Sequence, residues 1–592
     1  MKQFLKTVLA SMLGVFLSTI LLFFFFIQHI VGLASTIDSP KTGSAEKGTI
    51  LHLNLTEEIS ERASDNPFAN LNPMSLEVGK GLGLDRILEC LEKASRDPNV
   101  SGIYLEVPSV SGGMASMEEI RNGLNAFKKA GKFIYAYADV YSQGGYYLAS
   151  TADQVWMNPE GMLDMRGMSA SIPFFKGTLE KLEVKPEIIR HGKFKSAVEP
   201  FLENKMSDAN REQITALLNS IWSSVIVDIA KSRNLSIQKL NEIANGLLAR
   251  TPEMAKAQKL VDVVAYEDVY HNAIKKLLKV DTEDEYESVS ILDYTQKYTT
   301  TSAINDATDE IAIIYAQGEI QSGEGDVNII GEGAMRRSIS EARNNDDVKA
   351  IVLRIDSPGG NALTSDLIWR EIELTKKVKP VVVSMGNYAA SGGYYIACNA
   401  NTIFAEKNTI TGSIGVFGML PNFSGLSTKM GIHSEQVNTH QNSGNYNPFA
   451  PIDEKFKAVT TEGVEQIYKT FVSHVAQGRK MSFTQVDAIA QGRVWTGADA
   501  IKIGLVDKIG GLHDAIQEAA RLAKIKTFNT QNYPEYNKNF DDLLENFPFA
   551  KTKERWIKEE IGEENYKMME QIKRIQSYKG IQARMPFDIS IQ

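Results

Sequence analysis

Cysteine is almost absent from this chain. Only Cys90 and Cys398 occur in 592 residues, too few for a disulfide framework or a thiolate metal cluster. Cys398 falls in an apolar helical pattern, so buried thiols are expected rather than a bridge. Histidine is scarce too, with eight residues. Neither the histidines nor the carboxylates fall at metal-ligand spacing, and no phosphate-binding Gly-rich loop is present. No metal and no cofactor is therefore expected. The net charge of −9 is spread out with no block of Lys or Arg, which argues against a nucleic-acid partner. The remaining composition, 43% hydrophobic and 23% charged, is that of a globular protein, and 592 residues are too many for one core.

Charge is also missing from Thr7 to Ile27, a run that includes Phe23–Phe26 and follows Lys2 and Lys6. About 20 apolar residues span a bilayer as a helix. The run exceeds the usual apolar region of a cleaved leader, so it is expected to stay as an anchor rather than be removed at Gly32-Leu33-Ala34. No Lys or Arg follows until Lys41, which places the N-terminus in the cytoplasm and the rest of the chain on the exported side. Residues 1–35 are the expected anchor and 36–46 a polar linker.

Beyond the linker the chain is written twice. With residue n set beside residue n+248, Gly102-Ile-Tyr-Leu falls on Ala350-Ile-Val-Leu, Gly112 on Gly360, and Gly144-Gly-Tyr-Tyr on Gly392-Gly-Tyr-Tyr. Farther out a small shift pairs Leu260-Val-Asp with Leu505-Val-Asp. Short β-branched runs such as Ile311–Tyr315, Ala350–Ile355 and Val381–Ser384 alternate with helical stretches such as Ser365–Lys376, which predicts parallel βαβ units. Helices are expected around Arg211–Lys231 and Phe456–Gln477. The first repeat is set at 47–300, the second at 301–525, and a charged, partly helical tail at 526–592.

The differences between the copies carry the chemistry. Ser391 follows an apolar strand and opens a helix, where a hydroxyl projects from a sharp turn and its own N–H is expected to be free of intrahelical bonding; its counterpart in the first copy is Gln143, which cannot attack a carbonyl. Lys195, in His191-Gly-Lys-Phe-Lys195-Ser-Ala-Val-Glu-Pro, falls on Ser443 in the second copy. A neutral lysine accepts a serine proton once burial lowers its pKa from about 10.4, and Phe194, Ala197 and Val198 are apolar residues suited to surround such an amine. Lys193 reads as a solvated charge and Tyr394-Tyr395 as core. The Asp356-Ser-Pro-Gly-Gly360 turn presents backbone N–H groups that, with the N–H of Gly392, suit an oxyanion hole.

Lys195-Ser-Ala-Val-Glu-Pro, Asp356-Ser-Pro-Gly-Gly, Ser391-Gly-Gly-Tyr-Tyr and Thr411-Gly-Ser413-Ile-Gly together resemble the long members of the signal peptide peptidase A (protease IV) family, from the anchor to about residue 525. The resemblance implies an α/β tandem duplication of a Clp-protease/crotonase-like domain behind one N-terminal transmembrane helix. It implies a serine endopeptidase with Ser391 as nucleophile, Lys195 as base, Ser413 as the hydroxyl orienting the lysine, and Gly359 and Gly392 as oxyanion donors. It further implies signal peptides as substrates, a homotetramer with enclosed sites, and a bacterial inner-membrane location with the catalytic part periplasmic.

Three other readings compete. A Ser/His/Asp triad would use His433 or His440, a crotonase-like acyl-CoA enzyme would need no serine, and an inactive scaffold would need neither Ser391 nor Lys195.

Overall fold

The computed structural model describes residues 6, 12, 14–18, 21, 45–62, 82–297, 307–440, 442–444, 446–536 and 581–585. Most of the expected anchor and the expected tail helix over 551–575 lie outside them. Residues 14–18 are helical.

The duplication shows in the strand order. One sheet runs Ser288–Ser290, Thr49–Asn54, Val100–Glu106, Phe133–Tyr141, Gln154–Leu163, Val263–Val264, all parallel. A second repeats that order as Asn529–Tyr533, Glu310–Gln317, Val348–Ser357, Val381–Ala390, Thr402–Ala405, Lys508–Ile509, again parallel. It takes in Asn529–Tyr533 and so reaches past the boundary set at 525. The β-branched runs form strands as expected because both faces of each sheet are covered. Along Glu310–Gln317, Ile311, Ile313 and Tyr315 pack on the helix Leu512–Ala523, while Ala312, Ile314 and Ala316 enter the main core of the second repeat.

Two 26-residue helices, Asp208–Arg233 and Glu454–Arg479, occupy equivalent places. Ser207 caps the first by accepting from Asn210 N, as N-cap serines do. That helix is long and apolar enough to cross a membrane by length and composition, but Ile214, Leu217, Ile221, Val225 and Ile229 bury it in the first repeat. Cys90 and Cys398 are both buried and free.

Two devices join the repeats. The strand Lys185–His191 leaves the first repeat and pairs antiparallel with Val416–Asn422 of the second, His191 opposite Val416 and Lys185 opposite Asn422. Both belong to a sheet that continues through Ile581–Arg584 to Gly359–Asn361. Deeper in, the guanidinium of Arg354 is fully buried between two first-repeat carboxylates, donating to Glu61 Oε2 at 2.7 Å and to Glu119; Glu119 also accepts from Leu512 N at 2.9 Å.

Removing one member of such a group strands the others without water. Arg354→Ala should therefore lower stability by about 3–5 kcal/mol, read as a large fall in the unfolding midpoint. An unchanged midpoint would show that the repeats do not depend on this clasp.

Candidate active site

Ser391 is the single residue between the strand Val381–Ala390 and the helix Gly392–Ala397, at φ 55°, ψ −112°. Residues with a side chain rarely adopt that backbone, and holding one there costs on the order of 1–3 kcal/mol. Two hydrogen bonds hold it: Ser391 N donates to Gly412 O and Tyr395 N donates to Ser391 O, both at 2.8 Å. The N–H is free of intrahelical bonding, as expected, and is taken instead by the neighbouring strand Ile410–Gly412. The first repeat turns the same corner without strain. There Ser142 is an ordinary N-cap at φ −68° that accepts from Gly145 N at 3.1 Å. Gln143 folds its amide onto Gly167, accepting from Gly167 N at 2.9 Å and donating to its carbonyl at 3.1 Å.

Lys195 reaches Ser391 from the loop that follows the crossing strand Lys185–His191. The loop is fastened from both repeats: Phe194 N donates to Gln491 O at 2.8 Å, and Gln213 Nε2 donates to Phe194 O at 3.0 Å. Lys195 Nζ donates to Ser391 Oγ at 2.9 Å, to Ser413 Oγ at 3.0 Å and to the Ser413 carbonyl at 3.2 Å. All three residues are fully buried. Burial pushes the amine well below the ordinary lysine value, because the charged form loses its hydration.

The wall around the lysine is not the one expected. Phe194 turns its ring to Lys193, which is exposed, and to Arg493. Val198 packs with Phe417 and Met419 in a separate cluster. The lysine stem instead lies against the backbone of Gly415 and Gly492 in the second repeat: a Cβ at Gly415 would stand 3.2 Å from Lys195 Cδ, and one at Gly492 2.7 Å from Lys195 Cβ. Gly415 closes the Thr411-Gly-Ser413-Ile-Gly motif, whereas no sequence signal singled out Gly492. Tyr394 and Tyr395 are core residues, bonded to Leu505 O and Asp366.

Gly392 opens its helix, so its N–H has no intrahelical acceptor. Gly359, at φ 98°, lies beside it, and a Cβ there would meet Gly392 N at 2.7 Å. The N–H of Gly359 donates to Ser357 Oγ at 3.1 Å. The site residues expected from sequence thus stand together, with Gly359 at hand but its amide engaged. Among the described residues, the histidines proposed for a triad are elsewhere. His433 and His440 are exposed, and His440 bonds Thr439.

The profile of peptidase family S49 matches residues 126–281 and 373–526, one stretch in each repeat. Protease 4 of Salmonella typhi is 38% identical over 76% of this chain and 73% of its own. The chloroplastic serine protease SPPA of Arabidopsis thaliana is 32% identical over 81% and 70%. A Listeria monocytogenes ClpP1 structure aligns at 16% identity with a TM-score of 0.24, over 34% of this chain and 94% of that one.

Ser413→Ala removes one of the bonds that aim the amine, each worth about 0.5–1.5 kcal/mol. Its kcat should fall roughly 2- to 10-fold with folding intact, and Ser413→Thr should recover part of it. Unchanged kinetics in Ser413→Ala would remove this residue from the site.

Proposed function

Because the chain belongs to peptidase family S49 and is a serine protease of the signal peptide peptidase type, we propose that Ser391 and Lys195 form its catalytic dyad, and that it degrades apolar peptides, spent signal peptides among them, at a membrane. The observation that carries this reading is the buried contact of 2.9 Å between Lys195 Nζ and Ser391 Oγ. Ser391 Oγ attacks the scissile carbonyl while neutral Lys195 takes its proton. The N–H of Gly392 meets the developing oxyanion, with Gly359 beside it. The lysine ammonium returns the proton to the departing amine, and water then hydrolyses the acyl-enzyme by the same proton route. Ser413 holds the amine in line.

Two further observations support the membrane and the assembly. In the N-terminal segment, Met12, Val15, Phe16, Leu17 and Leu21 are all more than half exposed, as suits a helix surrounded by lipid. With Lys2 and Lys6 on the cytoplasmic side, the catalytic part is then exported. The crossing strand Lys185–His191 has its counterpart at residues 433–439, where Val437 is 99% exposed. The edge Val416–Asn422 has its counterpart at 168–174, and within one chain neither stretch joins a sheet. Repeating the pairing from chain to chain is a head-to-tail contact of the kind that closes rings. A homotetramer enclosing its sites satisfies it and keeps folded proteins out.

Ser391→Ala, Lys195→Ala and Lys195→Arg should each abolish peptide cleavage in a folded protein, the last because arginine stays charged. Wild type should cleave apolar peptides faster than charged ones in a fluorogenic assay. Activity surviving in any of the three variants would defeat the dyad.

A further inference from the structure

One turn of the second repeat touches both the lysine loop and the serine whose hydroxyl meets the amine. Gln491 and Gly492 form the turn, and Arg493 leads from it into the strand Val494–Thr496. Gln491 O accepts from Phe194 N at 2.8 Å, which fastens the loop that brings in the base. Gly492 lies against the main chain of Lys195, where a Cβ of its own would stand 2.7 Å from Lys195 N. Arg493 O accepts from Ser413 N at 2.7 Å, and Ser413 is held there at φ 49°. The strand beyond continues the support. Val494 stands opposite Gly412, whose carbonyl takes the N–H of the strained Ser391.

The backbone of the turn makes those contacts whatever its side chains, but Arg493 adds one that no backbone requires. Its guanidinium carbon stands 4.8 Å from the centre of the Phe194 ring and 4.6 Å from that of Trp495. Nη1 donates to Glu212 Oε1 at 2.8 Å, and Glu212 belongs to the first-repeat helix Asp208–Arg233. One side chain thus ties together the residue before Lys195, the strand beside Gly412 and the other repeat. A planar guanidinium suits the place, because it stacks on rings and keeps its edge for a carboxylate. The other charged groups at this loop are engaged elsewhere. Lys193 lies over the same Phe194 ring at 5.1 Å. Arg190 donates to Lys195 O at 3.2 Å and faces Glu199, His191 bonds Glu465, and Asp487 accepts from Gln491 Nε2 at 2.7 Å.

We infer that Arg493 is a positioning residue for the base: stacked on Phe194, it keeps the Lys195 loop shut and water away from the amine. The inference rests on the Ser391/Lys195 reading above. Arg493 acts through Phe194, not on the substrate. Without the stack, Phe194 is held by its main-chain bonds alone, and the loop opens more often. Water then reaches the amine and stabilises its charged form. The loss falls on the step that needs a neutral amine, not on binding of the peptide.

The test is steady-state kinetics and the pH dependence of Ser391 acylation in full-length variants, with thermal unfolding as the check on folding. Arg493→Ala should lose roughly 5- to 30-fold in kcat, the value of two ring contacts, with KM for an apolar peptide unchanged and the acylation midpoint moved upward. Arg493→Lys keeps the charge but not the plane and should recover only part of the loss. Glu212→Gln removes the ion pair at a half-exposed carboxylate; it should fold as wild type does and show a smaller shift in the same direction. Should Arg493→Ala fail to fold, that variant decides, and an unmoved midpoint in it overturns the inference. Wild-type kcat and midpoint in a folded Arg493→Ala overturn it, as does full recovery by lysine, which leaves charge alone as the cause. A raised KM with an unmoved midpoint also overturns it, by placing Arg493 with the substrate. All of these leave the dyad standing, whereas a rise with pH that persists in Lys195→Ala defeats the dyad and this inference together.

Discussion

The proposed dyad rests on one constraint, a lysine that must be uncharged to act. An amine keeps its proton in water up to about pH 10, so one that is to act as a base near neutrality must be stripped of solvent and left without a carboxylate to recharge it. The protein meets both conditions by bringing Lys195 across from one repeat and closing the other repeat's backbone around it, at Gly415 and Gly492. Its polar partners are two hydroxyls and a carbonyl, none of them anionic. The crossing strand and the Arg354 clasp make that closure possible, because a loop free to swing would let water back to the amine.

Duplication supplied the parts and divergence sorted them. One strand-to-helix corner is strained in the second repeat and relaxed in the first, where a common N-cap serine and the Gln143 amide satisfy the local groups. The strain is kept only where a hydroxyl must be presented. The crossing strand is likewise used by one copy alone within the chain, and its counterpart at 433–439 stays exposed. In the proposed dyad, two equal copies have thereby become a half that supplies the base and a half that supplies the nucleophile.

Much of this was legible before any coordinates. The offset of 248 residues exposed the duplication, and parallel strands buried on both faces are the easiest elements to read because their apolar runs are continuous. Ser391 and Lys195 stood out as the positions where matched copies disagree. Other features were not legible. Glycines that wall a lysine look like glycines in any turn, since the reason for them is a side chain distant in sequence. Phe194 and Val198 misled for a related reason: adjacency in sequence says little about which way a loop residue points. Helix logic freed the Ser391 N–H from intrahelical bonding, but the strand that takes it is not announced by the local sequence. The tail strand pairs with Gly359–Asn361, more than 200 residues away in sequence, and no local pattern announces such a pairing.

The central claim is that Lys195 is neutral at working pH and takes the proton of Ser391. It is tested most directly by the pH dependence of the acylation rate of Ser391 in full-length protein, followed by stopped-flow with an activated ester. The neutral amine is the active form, and burial lowers its pKa. The rate should therefore be low in acid, rise as pH climbs through a midpoint well below 10.5, and stay level above it, with the rise absent in Lys195→Ala. A midpoint at the ordinary lysine value, or the same rise in Lys195→Ala, would contradict the account.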